Sequence, residues 1–170
     1  EKMPRSASVV KYAATFLVRQ DMLSEAENIL KTARKNITQN PDQIHITLML
    51  TDVLEMRQKY PQAQNLLNDM LTKNPNSIIL NRRLLSLART SQIEIDSAKI
   101  ISKIKDIEGA EGKHWRYEQA LAYLREDGSQ NLTKAISLLK ENVSLHPYDQ
   151  NSMILLAGAY EKAEKNSLAM

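Results

Sequence analysis

The 170-residue chain carries 23 basic and 20 acidic side chains, a formal charge of +3 that is too evenly balanced for a nucleic-acid-binding stripe. With four Gly and five Pro it has too few turn signals for an all-β or βαβ architecture, and its apolar content rests on Leu, Ile, Ala and Met, which suits helix-on-helix packing. The absence of Cys excludes disulfides, thiolate metal sites and a Cys nucleophile. No run approaches the roughly 18 apolar residues of a spanning helix, so no membrane insertion by this segment is expected, and the compartment stays open.

Taken in chain order, the predicted elements are amphipathic helices in pairs. The opening Glu1-Lys2-Met3-Pro4 has no signal-peptide core. A first pair follows, with Ala13, Ala14 and Leu17 in one helix and Ala26, Leu30 and Ala33 in the next, closed by a long connection reaching Pro41. A second pair has Leu48, Leu50, Val53 and Leu54, then Leu66, Leu67, Met70 and Leu71, spaced by threes and fours, and it ends at Pro75. The third places Leu84, Leu85 and Ala88 before Ile100, Ile101 and Ile104, and joins onward through Gly109-Ala110-Glu111-Gly112. The fourth opens at Trp115, carries an insertion at Asp127-Gly128-Ser129-Gln130-Asn131 and closes at Pro147. A fifth begins with Leu156, Ala157 and Tyr160.

A repeat underlies these pairs. Pro4, Pro41, Pro75 and Pro147 are each followed 22 residues later by a small side chain, at Ala26, Ala63, Ser97 and Ala169. Ala63 and Ala135 each precede a Pro by 12 residues, and the two intervals sum to 34. In this spacing the chain resembles the tetratricopeptide repeat (TPR) family, with degenerate units. The resemblance implies an all-α fold of tandem helix-turn-helix repeats forming a right-handed TPR-like superhelix, an α-solenoid. It divides a single domain into approximate repeats 7–40, 44–77, 78–112, 113–149 and a partial 150–170. Pro4 standing where a repeat closes and Ala169 where a second helix opens point to a piece of a longer array, with residues after Lys165 frayed.

No catalytic constellation emerges. His45, His114 and His146 lack ligand spacing, so no metal is expected; acidic pairs such as Glu25/Glu27 and Glu94/Asp96 read as helix-start caps; there is no phosphate loop or nucleophile elbow, and no cofactor is expected. The resemblance implies a protein-interaction scaffold, not an enzyme, that binds a peptide or partner protein on the concave face lined by first helices. Carried over residue by residue, that face comprises Lys11, Thr15, His45, Leu48, Asp52, Glu55, Arg82, Ser86, Arg89, Trp115, Glu118, Asn151 and Glu161, together with Arg125 and Ile154. Trp115 reads first as a core anchor and otherwise as a hot spot. The pattern lacks the carboxylate clamp of chaperone-binding modules, since Thr15 and Met49 stand where Asn is needed. It also lacks the inner Asn ladder of sugar-transferase arms, with Tyr12, Met49, Arg83, Gln119 and Leu155 at those positions. The alternatives are a targeting or assembly arm of a larger multidomain enzyme or secretion/export complex, helical-repeat RNA recognition, and end-to-end self-association through uncovered terminal helices.

Overall fold

A computed structural model describes residues 6–91, 93–126 and 128–168, with side chains to residue 164. Pro4, Asp127, Ala169 and Met170, which figure in the expected repeat pattern, lie outside the described residues, as do the side chains from Lys165 onward. Among the described residues the chain forms nine helices: α1 (Ala7–Arg19), α2 (Leu23–Asn36), α3 (Asn40–Met56), α4 (Tyr60–Lys73), α5 (Ile78–Thr90), α6 (Ser97–Glu108), α7 (Lys113–Arg125), α8 (Ser129–Leu145) and α9 (Gln150–Leu168). Two compact units result, Glu1–Ile95 and Asp96–Met170, and the boundary falls inside the span 78–112 expected as one repeat.

In the first unit each helix packs on the next from α1 to α5, while the first helices α1, α3 and α5 also adjoin one another. The repeat's small residues explain how the helices approach closely. Ala14 and Ala26 are fully buried in the first hairpin, as are Thr51 and Ala63 in the second. Thr51 occupies a position suited to Ala or Gly because its hydroxyl donates back to the Thr47 carbonyl at 2.8 Å, and the Thr47 hydroxyl in turn accepts from Arg34 Nε at 3.3 Å. Neither buried hydroxyl is left without a partner.

The turns within these two hairpins share one geometry. Asp21 and Gln58 adopt left-handed backbone (φ 58° and 57°), and the next amides, of Met22 and Lys59, reach back five residues to Leu17 O at 2.9 Å and Leu54 O at 2.8 Å. This is a Schellman closure, which usually employs Gly at the left-handed position. Pro41 differs from its expected place. It lies in the first turn of α3, where its missing N–H costs nothing, and does not close α2. Ile37, beyond the end of α2, is buried instead.

In the second unit α6 packs on α7, α7 on α8 and α8 on α9. Ala120 and Ala135 supply the fully buried small pair, three residues further apart than in the earlier hairpins, so the loop around Gly128 (φ 125°) absorbs the insertion. Leu132, Leu139 and Ala159 complete this core. Ser97, the expected small residue of the third repeat, is half-buried and begins α6, whose N-terminus Asp96 caps by accepting from Lys99 N at 2.9 Å. Glu108 caps α7, accepting from the amides of His114 and Trp115, each at 3.0 Å.

The last helix exposes a face that its counterpart covers. On α3, Thr47, Leu50, Thr51 and Leu54 are at most 2 % exposed because α4 lies over them. The residues 106 positions on, Met153, Leu156, Ala157 and Tyr160, range from half-buried to open, with Tyr160 44 % exposed. α9 buries Ser152 and Ala159 against α8 and leaves its large, small and aromatic repeat positions uncovered.

Candidate functional site

The first-helix face of the first unit is polar and cross-linked. Lys11 of α1 pairs with Asp42 of α3 at 3.2 Å. Between α3 and α5, Arg83 Nη2 lies 2.8 Å from Asp52 Oδ1 and its Nε donates to the same oxygen at 3.0 Å, while Nη2 also donates to Glu55. The Thr90 hydroxyl donates to the other Glu55 oxygen. One guanidinium thus ties two carboxylates, three residues apart on one helix, to the neighbouring first helix.

The two carboxyls respond differently to this shared cation. Asp52 is 54 % exposed, yet partial desolvation against the neighbouring helix raises its carboxyl above its ordinary value, the Glu55 charge acts in the same direction, and Arg83 offsets only part of both. At Glu55 burial also pushes upward, but the hydrogen bonds from Thr90 and Arg83 and the Arg83 charge outweigh it and hold the group below its ordinary value.

The other expected residues fall around this network. Thr15 and His45 are exposed, and Leu48, Arg82, Ser86 and Arg89 are half-buried, with both arginines engaged by partners. Tyr12, beside Lys11, is 82 % exposed. Sequence reasoning compared Arg83 only with an Asn ladder and so overlooked its bridging role. The signal was present: one 34-residue repeat places Arg83 beside Met49, within a turn of Asp52.

In the second unit α7 and α9 enclose a depression of about 360 Å³, largely apolar, to which Tyr117, Leu124, Ile154 and Leu155 contribute, with Asn151 and Lys162 among its polar residues. Ile154 is 72 % exposed. Glu161 is exposed on α9 and does not line the depression, and Arg125 is exposed at the end of α7. Glu118 is a core residue, 2 % exposed and partnered. Trp115 lines a separate groove between α6 and α8. The α7 side of the α7–α9 depression is therefore carried by Tyr117 and Leu124 and not by Trp115 and Glu118, because the inserted residues break the register used to place them.

Trp115 is also no core anchor. It is half-buried, its ring lies between cationic neighbours with Lys105 Nζ at 4.5 Å and Arg116 Cζ at 4.7 Å from the centroid, and its Nε1–H donates to Gly109 O at 3.1 Å. Of the acidic residues read as caps, Asp96 does cap a helix, whereas Glu27 is buried. Glu27 meets Lys31 at 2.5 Å, Arg57 at 2.5 Å and Lys59 at 2.9 Å, and so fastens α2 to the turn between α3 and α4. No helix among the described residues is long and apolar enough to cross a membrane.

No protein-family model and no curated protein matches the sequence. Solved structures do match. Residues 41 to the end of MamA from Desulfovibrio magneticus RS-1 superpose with a TM-score of 0.59 at 18 % identity, over 99 % of this chain and 91 % of that one. YrrB, described as a TPR protein with an unusual peptide-binding site, aligns with a TM-score of 0.54 at 18 % identity, over 88 % of this chain and 73 % of its own. A putative protein binding protein from Bacteroides ovatus ATCC 8483 aligns with a TM-score of 0.53 at 12 % identity, over 94 % and 98 %. Together with paired helices, buried small residues at the helix crossings and Schellman-closed turns, these likenesses establish that the chain has the fold of the tetratricopeptide-like helical repeats.

Proposed function

We propose that the chain is a protein-interaction scaffold that binds a peptide or partner segment along its first-helix faces and performs no chemistry of its own. The observation that carries this reading is the depression between α7 and α9, where Ile154 stands 72 % exposed among Tyr117, Leu124 and Leu155. An apolar surface left open beside polar groups is what a side-chain anchor of a bound segment requires. The face of α1, α3 and α5 supports the same reading, for its charges are of both signs and are already held by one another, so a ligand would meet a fixed field. The description of YrrB as having a peptide-binding site is consistent with this use of the fold.

A displayed peptide library panned on the chain tests the reading. Selected peptides, resynthesised, should bind Ile154→Glu or the combined Lys11→Ala, Asp52→Ala, Arg82→Ala and Arg89→Ala variant at least about tenfold more weakly, the loss expected on removal of an interface anchor. Peptides that bind wild type and both variants equally would remove the first-helix faces from consideration. Failure to select any peptide would count against the scaffold itself.

A further inference from the structure

A second groove lies within the second unit, away from the α7–α9 depression. It is walled by α6 and α8 and floored by α7, and it encloses about 510 Å³, within the roughly 300–1,000 Å³ typical of ligand pockets. Its floor is a single stripe of α7, Trp115, Gln119 and Tyr123, spaced by four residues so that all three project on one side. At 1.5 Å per residue the two aromatic rings sit about 12 Å apart along the helix.

Each ring holds a lysine. Lys105 Nζ of α6 is 4.5 Å from the Trp115 centroid and Lys134 Nζ of α8 is 5.7 Å from that of Tyr123. Both lysines line the groove, and among the described residues neither meets a carboxylate. The one acidic side chain in the lining, Glu141, is already neutralised by Arg116 at 2.7 Å. The groove therefore presents two positive charges, one beside each ring, with the apolar side chain of Leu138 among its walls and the Gln119 amide on its floor.

We propose that this groove is a docking site for an extended acidic peptide, with two carboxylates four residues apart on Lys105 and Lys134 and an apolar side chain between them. An extended chain advances about 3.3 Å per residue, so residues i and i+4 lie about 13 Å apart, close to the rise of about 12 Å along α7 between the two rings that carry the lysines, and project, with i+2, to the same side. The Gln119 amide can both donate to and accept from the main chain of an extended segment, whereas a helix has already satisfied its own backbone groups. Cation–π contact holds the two ammonium groups in place before the ligand arrives.

Trp115 is the chain's only tryptophan, so its emission reports on this groove directly. Titration with acetyl-Glu-Ala-Leu-Ala-Glu-amide should give a saturable change in Trp115 emission and a shift of the Trp115 Nε1–H resonance. The neutral acetyl-Gln-Ala-Leu-Ala-Gln-amide should give neither. Lys105→Gln with Lys134→Gln should weaken the acidic peptide about tenfold, as two lost charge contacts in a partly shielded groove would. Lys99→Gln with Lys140→Gln, exposed positions outside the groove, should leave it unchanged. The proposal is overturned if neither signal responds, if the neutral peptide matches the acidic one, or if the two double variants behave alike.

Discussion

Glu27 offers the sharpest test of how the first hairpin is held to the second. Burial pushes its carboxyl upward, but hydrogen bonds and charge attraction from Lys31 and Lys59 outweigh that penalty and bring it down to about 2, from an ordinary value of 4.5. Arg57 adds a third contact at 2.5 Å. Because the folded value is the lower one, the associated stability is fully present above pH 4.5 and is lost as pH falls through 2. The lowering from 4.5 to about 2 corresponds to about 3 kcal/mol at pH 7. At pH 3 the unfolded carboxyl is already protonated while the folded one remains mostly charged, so only about 1 kcal/mol survives.

Glu27→Gln keeps the shape and removes the charge. The three cations are a quarter to a half exposed and regain water, so the loss should lie near the linkage value and not at the upper end seen for isolated buried ions. Urea unfolding followed by far-UV circular dichroism should show the variant less stable by about 3 kcal/mol at pH 7, narrowing to about 1 kcal/mol at pH 3. A gap that stays constant across this range, or that widens in acid, would refute the assignment of Glu27 as a charged fastener.

Three further outcomes follow from the packing and the turns. Ala63→Leu inserts three carbons at a fully buried helix crossing and should cost about 1–3 kcal/mol in the same unfolding assay, whereas a neutral effect would mean that α3 and α4 are not in close contact there. Gln58→Gly should raise stability by about 0.5–1 kcal/mol, since relief of left-handed backbone exceeds the entropy added to the unfolded chain, and thermal melting is sufficient to read its sign. The uncovered faces of α1, with Val9 and Phe16 more than half exposed, and of α9, with Tyr160, should make the chain self-associate at high concentration. Sedimentation velocity should show that Phe16→Lys with Tyr160→Lys restores a single monomeric boundary.

The parts legible in the sequence were those set by volume and periodicity. Ala26, Ala63 and Ala135 were recognisable because a close helix crossing admits only a small side chain, whatever surrounds it, and all three are fully buried. Pro75 and Pro147 marked helix ends for an equally local reason. What was not legible depends on partners distant in sequence. Glu27 looked like a first-turn cap until Arg57 and Lys59 were seen to converge on it, and Arg83 looked unremarkable until Asp52 and Glu55 lay opposite. Glu118 and Arg125 were misplaced by one residue, since Tyr117 and Leu124 are the side chains that line the depression: the insertion between Ala120 and Ala135 hides the small-residue pair that sets the register, and a slip of one residue turns a helix by about 100°, which exchanges one face for another.

The departures from the repeat pattern share a physical logic. Where the pattern would use Gly, the chain strains Asp21 and Gln58 into left-handed backbone, and the Schellman hydrogen bonds from Met22 and Lys59 hold them there. Where it would use a small apolar residue, Thr51 fits because the Thr47 carbonyl accepts a hydrogen bond from its hydroxyl. At Thr51 a generic fit is exchanged for a specific side-chain hydrogen bond, whereas at Asp21 and Gln58 the closure is made by backbone groups that any residue supplies. Polar fasteners of the same kind, Glu27 between the hairpins and Arg83 between the first helices, fix α3 relative to both α2 and α5. A face held in this way gives up adaptability and gains a fixed charge pattern, and on the scaffold reading proposed above such rigidity favours selection of one partner over accommodation of many.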